Sequence, residues 1–111
     1  MKGKAIIKLT RLGYEDHGIL TCWLILEDEA KETGQGFGGK ILDKHNEKTG
    51  EREPMLRSGF WIQRILETVG VANWEDLPGK SVRVDGESSG AIFGIGHITE
   101  DKWFYPKKEI G

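Results

Sequence analysis

Six residues, Gly34-Gln35-Gly36-Phe37-Gly38-Gly39, carry four glycines and run straight into Lys40. Inside a helix or strand each glycine costs roughly 0.5–1 kcal/mol relative to alanine, so such a density needs a reason. The spacing satisfies G-x-G-x-x-G. It also falls one residue short of the phosphate-binding pattern G-x-x-x-x-G-K-[ST], with Ile41 where the magnesium-binding hydroxyl belongs. A phosphate loop needs an apolar strand entering and a helix leaving, so that backbone N–H groups point at the anion. Here the entry, residues 28–33, is polar, and the exit, residues 41–46, does not read as a long helix. The Rossmann context fails for the same reason. The run is therefore expected to be a backbone device. It is either a bulged strand or tight hairpin that brings two backbones close, or a binding tip that presents Phe37 and Lys40.

The rest of the chain alternates between strand and turn signals around one helix. Ala5, Ile7 and Leu9 alternate in a first strand, and glycines bound a turn over residues 13–18. Residues 19–26 form the most apolar run, a central strand with Leu20, Cys22, Leu24 and Leu26 on one face and Trp23 and Ile25 on the other. Residues 40–43 suggest a third strand, and the polar stretch 44–53 an exposed, mobile loop. A helix follows between Pro54 and Val69, opened by Pro54 or capped by Ser58, and ended by Gly70. Trp61, Ile62, Ile65, Leu66 and Val69 make its core stripe, while Phe60 lies opposite with Arg57, Arg64 and Glu67. Asn73 is placed to cap a short turn with Asp76 as partner, and Pro78-Gly79 suits a type II turn. Residues 81–85 and 91–98 read as a hairpin closed by residues 86–90. Gly94 and Gly96 share one face of its second strand and leave a trough that Trp103-Phe104-Tyr105 could fill. The expected fold is α+β: a small, mostly antiparallel sheet or partly open barrel (β-β-β-α-β-β) with one packed helix, in a single domain over 1–111.

Composition excludes several classes of function. The 111 residues are 37% hydrophobic and 31% charged, which suits one folded domain. No apolar run approaches the roughly 20 residues of a membrane span. The first residues do not read as a signal peptide, and the lone Cys22 agrees with a reducing compartment, so a cytoplasmic location, in a bacterial host cytosol, is expected. A net charge of −2 argues against strong non-specific DNA binding.

No catalytic or metal set emerges. His17, Cys22, His45 and His97 have no standard ligand spacing, so neither metal nor cofactor is expected. Cys22 sits in an apolar strand as a core residue would. Asp16-His17 reads as an exposed turn, and Glu75-Asp76 and Glu100-Asp101 stand at turn or capping positions.

Three phrases look familiar together: Gly34 to Gly39, Trp74-Glu75-Asp76-Leu77-Pro78-Gly79-Lys80, and Ile95 to Phe104. They resemble small bacteriophage and prophage proteins across most of the chain. The resemblance implies a phage-related role and supplies no substrate or catalytic residue. The layout of a helix, a leucine-glycine-lysine turn and an alternating strand is also similar to some phage single-strand-binding proteins with barrel-like folds.

The expected function is non-enzymatic binding of another macromolecule, with a host or phage protein as the first choice, modulating host defence or DNA metabolism. The alternative is a single-stranded nucleic-acid or nucleotide-binding module. An enzyme built on His17, Cys22 or His97 ranks third. The candidate partner-binding residues are Gln35, Phe37 and Lys40 on the glycine run and Arg57, Phe60 and Arg64 on the helix. Aromatics beside arginine and lysine serve either partner class, by anchoring a protein interface or by stacking on bases.

Overall fold

The structure is a computed structural model and describes residues 1–30, 33–87 and 90–109. Strands β1 (Gly3–Tyr14), β2 (Leu20–Asp28) and β3 (Gly34–Ile41) form an antiparallel meander. A small ladder of β4 (Asp43–His45) with β5 (Arg52–Pro54) follows, then helix α1 (Ser58–Val69). β6 (Ser81–Gly86) returns to lie beside β1, and β7 (Ile92–His97) pairs with β6. The two-residue β8 (Trp103–Phe104) pairs with β7, and one helical turn, α2 (Pro106–Glu109), follows it. The main sheet has the order β3-β2-β1-β6-β7-β8. Three hairpin-connected strands plus a fourth that returns beside the first make a Greek key. The sheet does not close: β3 and β7 approach each other, but no ladder joins them among the described residues. The expected α+β class, mostly antiparallel with one packed helix, is what the chain adopts. No helix among the described residues is long and apolar enough to cross a membrane.

β1 sets the shape. Its alternation puts Ala5 and Ile7 in the core, and the register then slips between Ile7 and Leu9, so that no β2 residue stands directly opposite Lys8. Such a bulge bends and twists a strand. Before it, β1 pairs with both β2 and β6; beyond it, β1 runs on with β2 alone. The Pro78-Gly79 turn docks at this point. Gly79 has φ +90°, as a type II turn requires, its N–H donates to the Ile7 carbonyl at 2.7 Å, and the Ile7 N–H donates to the Lys80 carbonyl at 2.8 Å.

α1 buries Trp61, Ile65, Thr68 and Val69, with Ile62 and Leu66 packed half-buried beside them. The expected stripe is present, and Gly70 ends the helix in the left-handed region with its N–H on the Leu66 carbonyl. The start differs. Arg57 occupies the cap position, and the Ser58 hydroxyl instead donates to the Leu42 carbonyl, tying the helix to the end of β3. Asn73 likewise makes no side-chain cap bond; its amide reaches the Asp76 carboxylate at 3.4 Å.

Two stretches depart from the sequence reading. The third strand spans the glycine run itself rather than residues 40–43. The polar stretch 44–53 holds part of the β4–β5 ladder, organised by polar bonds that hydrophobic patterning cannot reveal. The Asn46 side chain accepts from the Lys48 and Thr49 N–H groups, and Arg52 donates to the Asp43 carboxylate at 2.7 and 2.9 Å. In the hairpin loop between β6 and β7, residues 88 and 89 lie outside the described residues, as do Lys31 and Glu32 before β3.

Ile65 is fully buried and Phe60, on the opposite face of α1, is 45% exposed. Ile65→Ala is expected to lower unfolding stability by about 2–5 kcal/mol in a denaturant titration. Phe60→Ala should change it by only about 0.5 kcal/mol.

Candidate functional site

The glycine run is an edge strand, not a loop opening onto a helix, so it does not aim successive N–H groups at a phosphate. Its glycines make room for rings. The six-membered ring of Trp23, on the outer face of β2, occupies the space above Gly36 and Gly39; a Cβ at Gly39 would lie 2.6 Å from Trp23 Cζ2. On the inner side, a Cβ at Gly38 would lie 2.7 Å from Trp61 Cη2 and 2.7 Å from the Cys22 carbonyl. Both Gly38 and Gly39 have positive φ, at the point where β3 bulges against β2. Trp23 is thus a surface-facing ring held over glycine, its indole N–H on Glu15 at 2.8 Å, and not part of the inner core. β7 repeats the device: Trp103 and Tyr105, stacked at 5.7 Å, cover the trough over Gly96 and Gly94.

The open seam between β3 and β7 forms a cleft of about 470 Å³. Phe37 and Trp61 form its floor, stacked at 5.7 Å and 25°, with Phe104 packed edge-on against both. Ile92 and Phe93 of β7 form one wall; Tyr105 and Pro106 lead into the other. Among the described residues, three lysines line it, Lys40, Lys107 and Lys108, and no carboxylate does. Lys108 Nζ lies 4.6 Å from the centre of the Tyr105 ring. Phe93 is 44% exposed, a large apolar ring at the mouth. A larger hollow of about 1010 Å³ lies along the β1–β2 hairpin, but every described residue around it, from Thr10 to Thr21, belongs to that one hairpin, and no second element encloses it.

The six residues singled out from sequence separate. Lys40 lines the cleft. Phe37 also reaches it, but from beneath: at 2% exposure it is a core ring, because its register opposite Leu24 turns it inward. Gln35 lies half-buried beside Gly90, at the β6–β7 loop. Arg57 and Phe60 are exposed on α1 and do not line the cleft. Arg64 is not an open binding group. It donates to Glu109 at 2.7 Å, to Glu67 at 3.1 Å and to the Trp103 carbonyl at 3.0 Å, with its guanidinium 5.3 Å from the Phe104 ring centre. The sequence reading missed Phe93, Lys107 and Lys108 as a set; the pairing of an exposed ring on β7 with a basic turn after Pro106 exists only across the fold.

The Arg64–Glu109 pair latches α2, which carries Lys107 and Lys108, to α1. Glu109 also accepts from the Tyr105 N–H at 3.1 Å. The Arg64 guanidinium, by hydrogen bonding above all, holds the Glu109 carboxyl below its ordinary value of 4.5. Cys22 is buried and its thiol is pushed up to about 12 by desolvation, so it is no nucleophile near neutral pH. Among the described residues, no three His, Cys, Asp or Glu side chains cluster as a metal site would require.

Because the folded carboxyl of Glu109 titrates low, its contribution is full above pH about 4.5 and is lost as pH falls through the depressed folded value. Acidification through that window should lower the protection of the Tyr105 amide in NMR hydrogen exchange, its rate being referred to the intrinsic rate at each pH. Glu109→Gln should show the reduced protection already at neutral pH.

Searches of family models, curated proteins and solved structures returned no match to this chain.

Proposed function

We propose that the chain binds single-stranded nucleic acid in the cleft between β3 and β7. The observation that carries this is the lining of the cleft: exposed and half-buried rings, three lysines and, among the described residues, no carboxylate. Single-strand binders combine cationic groups that follow the backbone with aromatic faces on which bases stack. The chain as a whole is weakly acidic, but binding responds to local charge, and the cleft concentrates one sign of it.

The topology supports the reading. A three-strand meander, a helix, and a return strand beside the first match the connectivity of the OB-fold, a partly open Greek-key barrel that hosts oligonucleotide sites. Fold alone does not assign function, so the weight stays on the cleft. A phage or prophage setting, which the sequence resemblance implies, fits a role in DNA metabolism.

The rival is a protein segment adding to the free edge of β3, which no strand covers among the described residues. Two features oppose it. β3 bulges at Gly38 and Gly39, and Lys40 stands on the same edge strand; bulges and edge lysines are devices that discourage strand addition.

Fluorescence anisotropy with a labelled oligothymidylate is expected to show binding that weakens as salt rises. Lys107→Ala with Lys108→Ala should reduce affinity and flatten the salt dependence by about 0.7 in slope for each phosphate left without its lysine. Absence of binding at low salt, with capture of an acidic peptide by the same cleft, would overturn this reading in favour of the protein partner.

A further inference from the structure

Among the described residues one buried side-chain nitrogen or oxygen has no hydrogen-bond partner: Nε1 of Trp61. Two other indoles are satisfied, Trp23 by Glu15 and Trp74 by the Thr10 hydroxyl at 3.0 Å. A buried donor without an acceptor forfeits the hydrogen bond it made with water, and native proteins leave few such groups. Trp61 is 2% exposed, and it is also a floor residue of the cleft. Its position is held closely: the indole lies against the Gly38 backbone, where any side chain would collide with Cη2, and between Phe37 and Phe104. Among the described residues the seam above it has no ladder bonds, so widening it breaks packing and no strand pairing.

We infer that the cleft takes one unstacked nucleotide of the bound strand, and that the base, entering past Phe93, gives the Trp61 N–H the acceptor it lacks. The base supplies a flat face for Phe93 and a carbonyl or ring-nitrogen acceptor for the indole. Its phosphate falls to Lys40, Lys107 or Lys108 at the rim. A volume of about 470 Å³ lies within the range that holds small ligands and suits a single nucleotide rather than a duplex. In the free protein Nε1 is closed to solvent, so engagement requires the seam to open as the base enters. The inference rests on the nucleic-acid reading and adds to it a defined subsite and a defined donor.

The test follows the indole N–H resonances of ¹⁵N-labelled protein during titration with an oligothymidylate of roughly 10 nucleotides, a length within the usual site size. The Trp61 signal is identified by its loss in Trp61→Phe, or by elimination using Trp23→Phe, Trp74→Phe and Trp103→Phe. It is expected to move downfield at saturation. Trp61→Phe should weaken binding about 2- to 10-fold, the effect of one hydrogen bond. Binding that leaves the Trp61 signal in place, with unchanged affinity in Trp61→Phe, overturns the subsite and leaves the nucleic-acid reading standing. No binding at all overturns both. A Trp61 shift produced by an acidic peptide and not by the oligonucleotide assigns the donor to a protein partner and overturns the inference. If Trp61→Phe does not fold, the shift in the unmodified protein decides alone.

Discussion

The Trp61 indole packed against the bare backbone of Gly38 joins the helix to the edge of the sheet, and much of the molecule follows from that contact. Phe37 stacks on the same indole and Phe104 meets it edge-on, so β3, α1 and β8 share one aromatic cluster. Aromatic pairs at these separations add about 0.5–1.5 kcal/mol each beyond the area they bury. The cluster lies beneath the seam where β3 and β7 approach each other with no ladder among the described residues. A side chain at position 38 would push the indole away, and the floor of the cleft would go with it. The open seam is thus floored by the packed core itself.

The same pairing of ring with glycine operates on the outer surface. Trp23 covers Gly36 and Gly39, and Trp103 with Tyr105 covers Gly96 and Gly94. Glycines weaken a strand because they add flexibility and bury nothing, and a ring laid over them restores the packing. Arg83 lies 4.8 Å from the Trp103 ring and donates to the His97 and Glu100 carbonyls, and the Tyr105 hydroxyl donates to Asp85. These bonds commit the outer rings to structure. In the cleft Phe93 stays exposed, and there Lys40 arrives from β3 and Lys107 and Lys108 from α2.

Local patterns made much of the fold legible. The core stripe of α1, the stop at Gly70, the type II turn at Pro78-Gly79 and the alternation of residues 81–85 each follow from short-range rules that tertiary packing did not override. The trough over Gly94 and Gly96 was visible as two glycines on one face, with aromatic residues nearby in sequence to fill it. The β4–β5 ladder was not visible, because bonds such as Arg52 to Asp43 join polar residues that look like loop. Phe37 was misplaced for a related reason. Glycines on either side made it look like the tip of a flexible loop, whereas its pairing with Leu24 turns it inward.

The sequence by itself determined the class of the fold, the core stripe and C-terminal end of the helix, and the fact that residues 34–39 are a backbone device, since periodicity, capping and glycine content act over a few residues. Only the tertiary structure decided what that device is for. Whether a glycine faces open solvent, a phosphate or an indole depends on which ring the fold brings to it from another element. Among the described residues the lysines of the cleft come from positions 40, 107 and 108, and they share a surface where β1 bulges, β6 returns beside it, and no described ladder joins β7 to β3.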